Sequence, residues 1–371
     1  MINLYVFSPD FSEFHEVQFI SLKGEEFYNA VGKITVVVSA TEYNIAHLHR
    51  DCFLYRKDTE QAFWIRRVYP STADNTMTIN GYTTNALLNK RVFAVSEKWD
   101  GLIDFAPKDY KGLETSDGYD FTLKSKIENA IEEQLYFALE NNLRDLPDVE
   151  FASVKNLTET YTGAFDHGQM LDELIQALNL TPYGHRMKFD HRNKRHVFEI
   201  YEGRDLTSGS KAVRFSEERG TAKNLVIDLD DSLLKNVCYV RGKKKDESIV
   251  TVIVGDAQGK DRFEFWLDQE FSQESEETDA DFEERMRTEG NKALAERASV
   301  ENFSIEIDAN EYGTAYKIGD KVSCVSKRFG VKFDSRITGI EFTQDPKIKT
   351  TKLLLGNPTI NIIKEMKLWL K

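Results

Sequence analysis

Three histidines near the middle of the chain have the side chains that a metal site requires. His185, His191 and His196 lie in one basic stretch, and Asp190 and Glu199 could add carboxylates to them as ligands. If the stretch is one strand, this spacing places His185 and His191 on one face and His196 on the other. The histidines would then diverge, so we expect no metal site there.

A second group could supply a nucleophile. His47 and His49 precede Cys52, in the manner of a cysteine activated by a histidine. Cys52 lies in a predicted core strand, and no helix N-terminus precedes it that would lower the pKa of its thiol. Cys238 and Cys324 are distant in sequence, and no pair has the CxxC spacing of a redox or zinc site. We interpret all three cysteines as small core residues.

Charged stretches complete the chemical candidates. The acidic stretches at 100–120 and 268–281 could hold calcium or hydrolyse a sugar, but they lack EF-hand spacing, and we interpret them as solvated linkers. The basic run of Arg241 and Lys243–Lys245 predicts a hairpin turn. The motifs GxGxxG, HExxH and GxSxG are absent from the sequence, as is the phosphate-binding P-loop. The sequence therefore predicts no catalytic residue, no cofactor and no metal.

Composition limits the class of protein. The chain has 371 residues, of which 40% are apolar and 30% charged, and this predicts an ordered globular protein of roughly two or three domains. No stretch approaches the roughly 18 apolar residues of a membrane helix, and the opening lacks the pattern of a signal peptide, so we expect folding in a cytoplasm without membrane insertion. A net charge of −13 opposes tight binding to DNA.

Elements that would position these residues are mostly strands. Helical spacing of apolar residues predicts three helices, over 123–143, 168–180 and 281–299. Short runs rich in β-branched and aromatic residues predict strands at 34–39, 62–69, 76–80, 196–201, 237–241, 249–254, 262–267, 303–307 and 351–355. The predicted fold class is α+β and β-dominated.

A diluted internal repeat links the two ends of the chain. DCFLY, FWIRRVY and TMTING near residue 51 match DKVSC, SRITGIE and TKLLLG near residue 320. The repeat aligns Asp51 with Asp320, Ile65 with Ile337, and Gly81 with Gly356. Each copy would form three antiparallel strands that end at a glycine.

Several segments resemble siphophage tail-associated hub proteins, which are similar to the central baseplate hubs of contractile-tailed phages. These segments are the opening INLYVFSPDF, AFWIRRVYP, TMTINGYTTNALLNKRVF and YKIGDKVSC. Within the third segment, Gly81, Leu87, Leu88 and Arg91 match a glycine, leucine and arginine pattern of the family. The chain departs from the pattern at GKITVVV, where Lys33 and Ile34 replace a small residue and a phenylalanine.

This resemblance implies two barrel-like tube domains with inserted mixed α/β domains. We expect the first tube domain at 1–100, an inserted region at 101–230, the second tube domain at 231–357 and an amphipathic segment at 358–371. The family also implies a homotrimer at the tail tip of the virion, which contacts a distal tail ring protein, a tape-measure protein and receptor-binding or fibre proteins while DNA passes through without specific binding. Two alternatives remain: a compact tail-associated endopeptidase and a carbohydrate-binding tail-tip module.

The C-terminal segment is the candidate partner contact. Pro358 can begin a helix, and apolar residues then recur at spacings of three and four on one face: Ile362, Ile363, Met366, Trp369 and Leu370. A helix this short needs a surface that buries its apolar face. It could fold back on its own chain, or three copies could meet or bind the next tail-tip protein.

Overall fold

The structure is a computed structural model that describes residues 2–92, 113–115, 118–120, 123–126, 146, 148–152, 157, 160–163, 169–275, 277–298, 300–307 and 311–356. Strands dominate these residues and helices are few, which agrees with the predicted β-dominated α+β class. None of the helices within these ranges combines the length and the hydropathy of a bilayer-spanning segment. The predicted C-terminal partner contact at 358–371 lies outside the described residues.

The N-terminal part is a set of antiparallel strands with one short helix. Strand β4 shows why the strands form, because KITVVVS alternates, with Ile34, Val36 and Val38 fully buried on one face. The elements are β1 (Leu4–Phe7), β2 (Phe14–Glu16), β3 (Ser21–Phe27), β4 (Lys33–Ser39), α1 (Glu42–His47), β5 (Phe53–Arg56), β6 (Gln61–Ser71) and β7 (Thr76–Thr83).

A middle region packs beside this unit. Helix α2 buries the apolar stripe that the sequence predicts over 168–180, and its core includes the hairpin of β13 and β14. The elements are a 3-10 helix (Thr84–Lys90), β8 (Leu113–Thr115), β9 (Gly118–Asp120), β10 (Leu123–Lys126), β11 (Val149–Phe151), β12 (Thr160–Gly163), α2 (Met170–Leu178), β13 (Gly184–Asp190) and β14 (Arg195–Tyr201).

The predicted helix over 123–143 is wrong at its start. Residues Leu123–Lys126 form β10, which pairs antiparallel with β12, Leu123 opposite Gly163. Leu123 continues the four-residue spacing of Ile127 and Ile131, so the helical pattern includes the strand residues. The physical reason for the error is that pairing with β12, which is distant in sequence, overrides this local pattern. The rest of the predicted helix, 127–143, lies outside the described residues.

The C-terminal part contains a second antiparallel unit with a smaller unit inserted in it. Between β16 and β20, a three-stranded sheet packs on α3 around its own core, which includes Phe282 and Met286. The elements are β15 (Arg214–Ser216), β16 (Lys223–Asp230), β17 (Val237–Lys243), β18 (Ile249–Val254), a 3-10 turn (Gly259–Asp261), β19 (Glu264–Ser272), α3 (Asp279–Ala295), β20 (Val300–Ile307), β21 (Lys321–Ser326), β22 (Val331–Gln344) and β23 (Lys349–Gly356).

Helix α3 lies where the sequence predicts a helix over 281–299, and it begins two residues earlier and ends four earlier. Its N-cap is Thr278, whose side-chain oxygen accepts the N–H of Asp281.

Strand pairing also bears on the expected domain boundaries. Strand β16 pairs with β20, so residues before 231 belong to the sheet of the second unit. The expected domain boundaries themselves remain predictions.

One large sheet joins the two units. Its strand order includes the run β6, β7, β4, β3, β22, β23, β20 and β16. One face of this run packs on a shared core that includes Ile34, Ile65, Ile337 and Leu353. The other face carries mostly polar side chains, and among the described residues the sheet is therefore covered on one side only.

Candidate functional site

The large sheet is built from two copies of a four-stranded unit. The order β6, β7, β4, β3 in the first half recurs as β22, β23, β20, β16 in the second half, with antiparallel pairing at every step. Strand β5 precedes β6 as β21 precedes β22, again antiparallel. Each of these five strands therefore has a counterpart in the other half.

The two copies share a local irregularity that fixes their alignment. The ladder between β6 and β7 has a bulge after Ile65, and the ladder between β22 and β23 has one after Ile337. The Ile65 carbonyl accepts the N–H of Asp51 at 3.0 Å, and the Ile337 carbonyl accepts the N–H of Gly319 at 2.8 Å. Asp51 and Gly319 both have positive φ, at 71° and 94°. These matching details confirm the internal repeat of strands.

The alignment corrects two of the predicted pairs by one residue each. Ile65 matches Ile337 as predicted, but Asp51 matches Gly319 instead of Asp320. Gly81 lies opposite Ile65 as Leu355 lies opposite Ile337, so Gly81 matches Leu355 instead of Gly356. Both errors arose because the sequence comparison aligned identical residue types, whereas the backbone is aligned by the bulge.

The first functional feature is the junction where the two halves meet. Strand β3 pairs antiparallel with β22, from Phe27 opposite Gly339 to Leu22 opposite Gln344. The ring of Phe342 lies over Gly24, where a β-carbon would come within 2.4 Å of the ring. Phe342 thus occupies the space that the missing side chain of Gly24 leaves, and we call this contact between β3 and β22 the closed junction.

A buried ion pair lies in the closed junction. Arg56 Nη1 donates to Glu26 Oε1 at 2.7 Å, both side chains are buried, and the guanidinium lies 4.0 Å from the centroid of the Phe342 ring. The same guanidinium donates to Asp58 at 2.6 Å. Burial raises the pKa of Glu26, and the charge of Arg56 beside it opposes that rise. The pair is not predicted from the sequence, although the alternation of LKGEEF places Glu26 on the same face as buried Leu22.

The second functional feature is a pair of unpaired edges. Among the described residues, β16 pairs with β20 alone, and residues 67–71 of β6 pair with β7 alone. Under the alignment, 67–71 corresponds to 339–343 of β22, and 226–230 of β16 corresponds to 23–27 of β3. These two free edges are therefore the counterparts of the two edges that meet in the closed junction, and each exposes an apolar residue, Tyr69 and Val226.

The uncovered face of the sheet has paired charges. Lys33 Nζ lies 2.9 Å from Glu25 Oε1, and Lys352 Nζ lies 3.7 Å from Glu341 Oε2. Each of these four side chains faces away from the core, on β4, β3, β23 and β22. In both pairs, opposite charges lie on neighbouring strands and neutralise each other on this face.

The three histidines of the middle stretch do not converge on a metal. His191 lies in an exposed turn, while His185 and His196 are buried on the same face of the β13–β14 hairpin. The expected divergence was wrong in detail because a turn separates the two strands, so parity does not carry through. Burial lowers the pKa of His185 to about 3, and burial together with the charge of Lys90 lowers the pKa of His196 to about 3. Both rings are neutral core residues.

Cys52 does contact a histidine, but this contact does not activate its thiol. Its Sγ lies 3.4 Å from Nε2 of His49. Burial raises the pKa of the Cys52 thiol, which keeps it protonated and unreactive. Burial likewise raises the pKa of Cys238 and of Cys324, in the latter case to about 12.

The charged stretches have structural contacts. The basic run lies at the hairpin of β17 and β18, as predicted, and Lys244 donates to Asp279 at 2.8 Å. The acidic stretch at 268–281 is only partly a solvated loop, because its first residues belong to β19 and Glu277 is buried against Arg285 at 2.8 Å. Most of the stretch at 100–120 lies outside the described residues.

The fold of the chain is similar to that of phage tail proteins of known structure. The chain aligns with the crystal structure of a tail protein from Neisseria meningitidis MC58 over 96% of its own length and 97% of the other, at TM-score 0.59 and 11% identity. Prophage tail protein gp18 from Listeria monocytogenes EGD-e aligns over 98% and 97%, at TM-score 0.54 and 15% identity. The 43 kDa tail protein of prophage MuSo2 from Shewanella oneidensis aligns over 96% and 98%, at TM-score 0.56 and 10% identity.

A family assignment accompanies the fold. The family model described as Siphovirus ReqiPepy6 Gp37-like protein matches residues 3–357, and the chain belongs to this family. We found no curated protein that matches the sequence. Family and fold together confirm the resemblance to siphophage tail proteins that the opening, central and late segments predicted.

Proposed function

We propose that the chain is a structural hub at the distal end of a phage tail, and that three copies close into a ring through their free edges. The observation that carries the proposal is the closed junction. It joins one half to the next inside a single chain, and the free edges present the same two strands in the same register. If β16 of one protomer pairs with β6 of its neighbour as β3 pairs with β22, each added copy exposes the next free edge.

The residues that would meet across this open junction are complementary. In the register of the closed junction, Asp230 lies opposite Arg67, as Phe27 lies opposite Gly339. The same register places Ile227 opposite Pro70, where the closed junction has Gly24 opposite Phe342. A large residue on one strand and a small one on the other recur with the roles exchanged, so both junctions have room for their side chains.

Pro70 also supports an assembly that forms only at sufficient concentration. Proline has no backbone N–H and occurs in strands where its nitrogen faces away from the ladder. Pro70 lies within the ladder with β7, so its nitrogen faces the free edge. The free edge therefore lacks one donor, which weakens pairing with unrelated strands and lets the trimer dissociate on dilution.

The dimensions of such a ring suit a passage for DNA. Three copies of the eight-strand run supply 24 strands. At about 4.8 Å per strand the ring is roughly 37 Å across between backbones if the strands run along its axis, and wider if they tilt. If the uncovered face lines the passage, DNA meets side chains whose charges are already paired, such as Lys33 with Glu25, and passes without specific binding.

Partners follow from the ring. A trimer with two related halves per chain presents six similar surfaces, so it can dock on a hexameric distal tail ring protein. The tape-measure protein would end inside the passage, and receptor-binding or fibre proteins would attach outside. The apolar face predicted at 358–371, with Ile362, Ile363, Met366, Trp369 and Leu370, remains our candidate contact for a partner.

A mechanical role agrees with the chemistry of the described residues better than the cell-wall hydrolase alternative. The cysteine beside a histidine has a raised pKa, and the buried histidines have lowered ones. These shifts place a protonated thiol and neutral imidazoles in the core, which is the opposite of an exposed, activated nucleophile. Incubation with purified peptidoglycan should release no fragments, and release would favour the hydrolase.

The direct test of the proposal is the mass of the protein in solution. Size exclusion with light scattering, run over a concentration series, should give the mass of three chains at high concentration and of one chain on dilution. A stable dimer or tetramer, with no trimer at any concentration or in isolated tails, would contradict the ring.

A deletion tests the proposed partner contact at the C-terminus separately. Removal of 359–371 should leave the melting temperature and the trimer near those of the full chain and abolish recruitment of the next tail-tip protein, measured by co-purification. A large fall in melting temperature with normal recruitment would show instead that the segment folds back on its own chain.

A further inference from the structure

Strand β2 and helix α1 bring together three side chains that the sequence analysis did not combine. One ligand atom from each of Glu13, His15 and His47 lies within 4.8 Å of the others. His15 Nε2 is 3.7 Å from Glu13 Oε2, and the ring centroids of His15 and His47 are 3.8 Å apart. His47 is near Cys52 in sequence, whereas in the structure it lies against His15.

The hydrogen bonds of the two rings leave a nitrogen available on each. His47 Nδ1 donates to the carbonyl of Tyr43 at 2.8 Å, so its Nε2 keeps the lone pair that a metal requires. This is the arrangement by which metal-binding histidines are usually oriented. His15 Nε2 is shielded from solvent and has no hydrogen-bond partner among the described residues. A buried nitrogen without a partner is destabilising unless something binds it.

The backbone holds these side chains in place. Glu13 and Ser8 exchange hydrogen bonds, with the Glu13 N–H donating to Ser8 Oγ at 3.0 Å and the Ser8 N–H donating to the Glu13 carbonyl at 3.0 Å. His15 lies opposite Val6 in the ladder of β1 and β2. Thr41 caps α1 by accepting the N–H of Asn44. The ligands therefore come from a fixed turn, a paired strand and a capped helix.

We propose that Glu13, His15 and His47 form a binding site for a divalent transition metal, with Zn²⁺ as the best match. Two imidazoles and one carboxylate suit zinc and its neighbours, while calcium and magnesium prefer oxygen ligands alone. Tetrahedral zinc with bonds of about 2.0–2.1 Å requires ligand atoms about 3.3 Å apart. The atoms within 4.8 Å can reach that spacing by small side-chain rotations. Three protein ligands leave the fourth position open.

The metal would stabilise a weak part of the fold. Helix α1 has six residues, none of them buried, so it has little packing of its own. A metal shared by His47 and His15 would join α1 to β2. It would also fix the positions of Phe14, Tyr43 and Ile45, which are exposed apolar residues at this end of the molecule. The site is independent of the trimer.

The test is calorimetric titration of the full chain, without a histidine tag and after treatment with a chelator, with ZnCl₂. We expect one saturable site per chain, and affinity at least about tenfold weaker in His15→Ala and in His47→Ala. Titration with CoCl₂ should give the visible absorption of tetrahedral cobalt in the parent and not in either variant. CaCl₂ should show no saturable binding.

Matched variants separate this site from other zinc ligands. His191→Ala removes an exposed histidine outside the cluster, and Cys52→Ala removes the thiol beside His49; both should bind zinc as the parent does. Without metal, His15→Ala and His47→Ala should melt near the parent, since both side chains are only partly buried. Absence of a saturable site in the parent, or unchanged affinity in His15→Ala, would overturn the proposal.

Discussion

The closed junction and the free edges are formed by corresponding strands of the repeat, which are paired in the junction and unpaired at the edges. In the closed junction β3 and β22 are paired, and Glu26, Arg56 and Phe342 are buried around them. At the free edges the counterpart strands β16 and β6 expose Val226 and Tyr69. A duplicated unit can thus join permanently within one chain and reversibly between chains.

The counterparts differ in charge as well as in exposure. Under the alignment, Glu26 matches Leu229 and Arg56 matches Cys324, so the second half has no counterpart of the buried ion pair. The charges at the free edges, Asp230 in the second half and Arg67 in the first, are instead exposed. A buried pair loses far more when one partner is removed than an exposed pair does. The closed junction should therefore respond strongly to substitutions and the edges weakly.

The largest effect should come from breaking the buried pair. Arg56→Ala leaves the Glu26 carboxyl buried without its partner, and we expect the free energy of unfolding in urea to fall by about 3–5 kcal/mol. The control is Lys33→Ala, which removes the partner of Glu25 on the uncovered face and should cost about 0–1 kcal/mol. The double variant Glu26→Leu with Arg56→Met should recover part of the loss. Equal losses in Arg56→Ala and Lys33→Ala would contradict the contrast.

A steric substitution tests the packing of the closed junction. In Gly24→Ala the new methyl group would meet the ring of Phe342 at 2.4 Å, and we expect a loss of about 1–3 kcal/mol in urea denaturation. Adding Phe342→Leu should restore part of the stability, because the smaller side chain makes room. The control on the free edge, Val226→Ala, should have an effect within about 0.5 kcal/mol because this side chain is exposed. A neutral Gly24→Ala would mean that the ring does not occupy this space.

The loss of stability at low pH should come from the buried histidines of the middle region and not from the free edges. The pKa of His185 and that of His196 are about 3 in the fold, against about 6.5 in an unfolded chain. Below pH 6.5 the unfolded chain binds protons that the folded chain does not, so stability that is complete above pH 6.5 is lost as the pH falls toward 3. Each histidine lowers the free energy of unfolding by about 1.4 kcal/mol for every pH unit below 6.5, or by about 2 kcal/mol at pH 5.

His196→Phe should remove one half of that dependence. The His196 ring lies among Phe11, Phe53 and Phe189 with centroids 4.9–5.6 Å away, so a phenyl ring suits the site. Urea denaturation between pH 7 and pH 4 should show a shallower loss of stability than in the parent. His191→Phe, in the exposed turn, should follow the parent curve. If His196→Phe also follows the parent curve, the folded protein protonates His196 as readily as the unfolded chain does, which would contradict the lowered pKa.

Periodicity predicted much of the fold. Each of the nine predicted strands overlaps an observed one, and the helices predicted over 168–180 and 281–299 are present as α2 and α3. Alternation in KITVVVS and the apolar stripe of α2 are local patterns, so one sequence contains them. The repeat was visible for the same reason, although identical residues misaligned it at Asp51 and Gly81.

The features that carry function were not visible in the sequence, because they join distant residues. Glu26 meets Arg56 across 30 positions, and β3 meets β22 across about three hundred. No local pattern encodes which edges of a sheet stay unpaired, since that depends on strand order. The cluster of Glu13, His15 and His47 is likewise divided between a strand and a helix. A charge on the core-facing side of LKGEEF was the one local signal of the buried pair.

The central claim is that the free edges pair in the register of the closed junction, and a charge exchange tests it most directly. Arg67→Glu and Asp230→Arg should each weaken the trimer, because each places like charges opposite at all three junctions. At about 0.5–1 kcal/mol per junction, the trimer dissociation constant should rise roughly 10- to 100-fold. The concentration for trimer formation varies as the square root of that constant, so in light scattering it should rise roughly 3- to 10-fold.

Combining Arg67→Glu with Asp230→Arg restores opposite charges and should restore the trimer close to the parent. Arg241→Glu, on the inserted hairpin, is the control and should leave the mass unchanged. Recovery in the double variant, measured by light scattering over the same concentration series, is the result that our account predicts. Additive weakening in the double variant, or no change in either single variant, would contradict the pairing of these two edges.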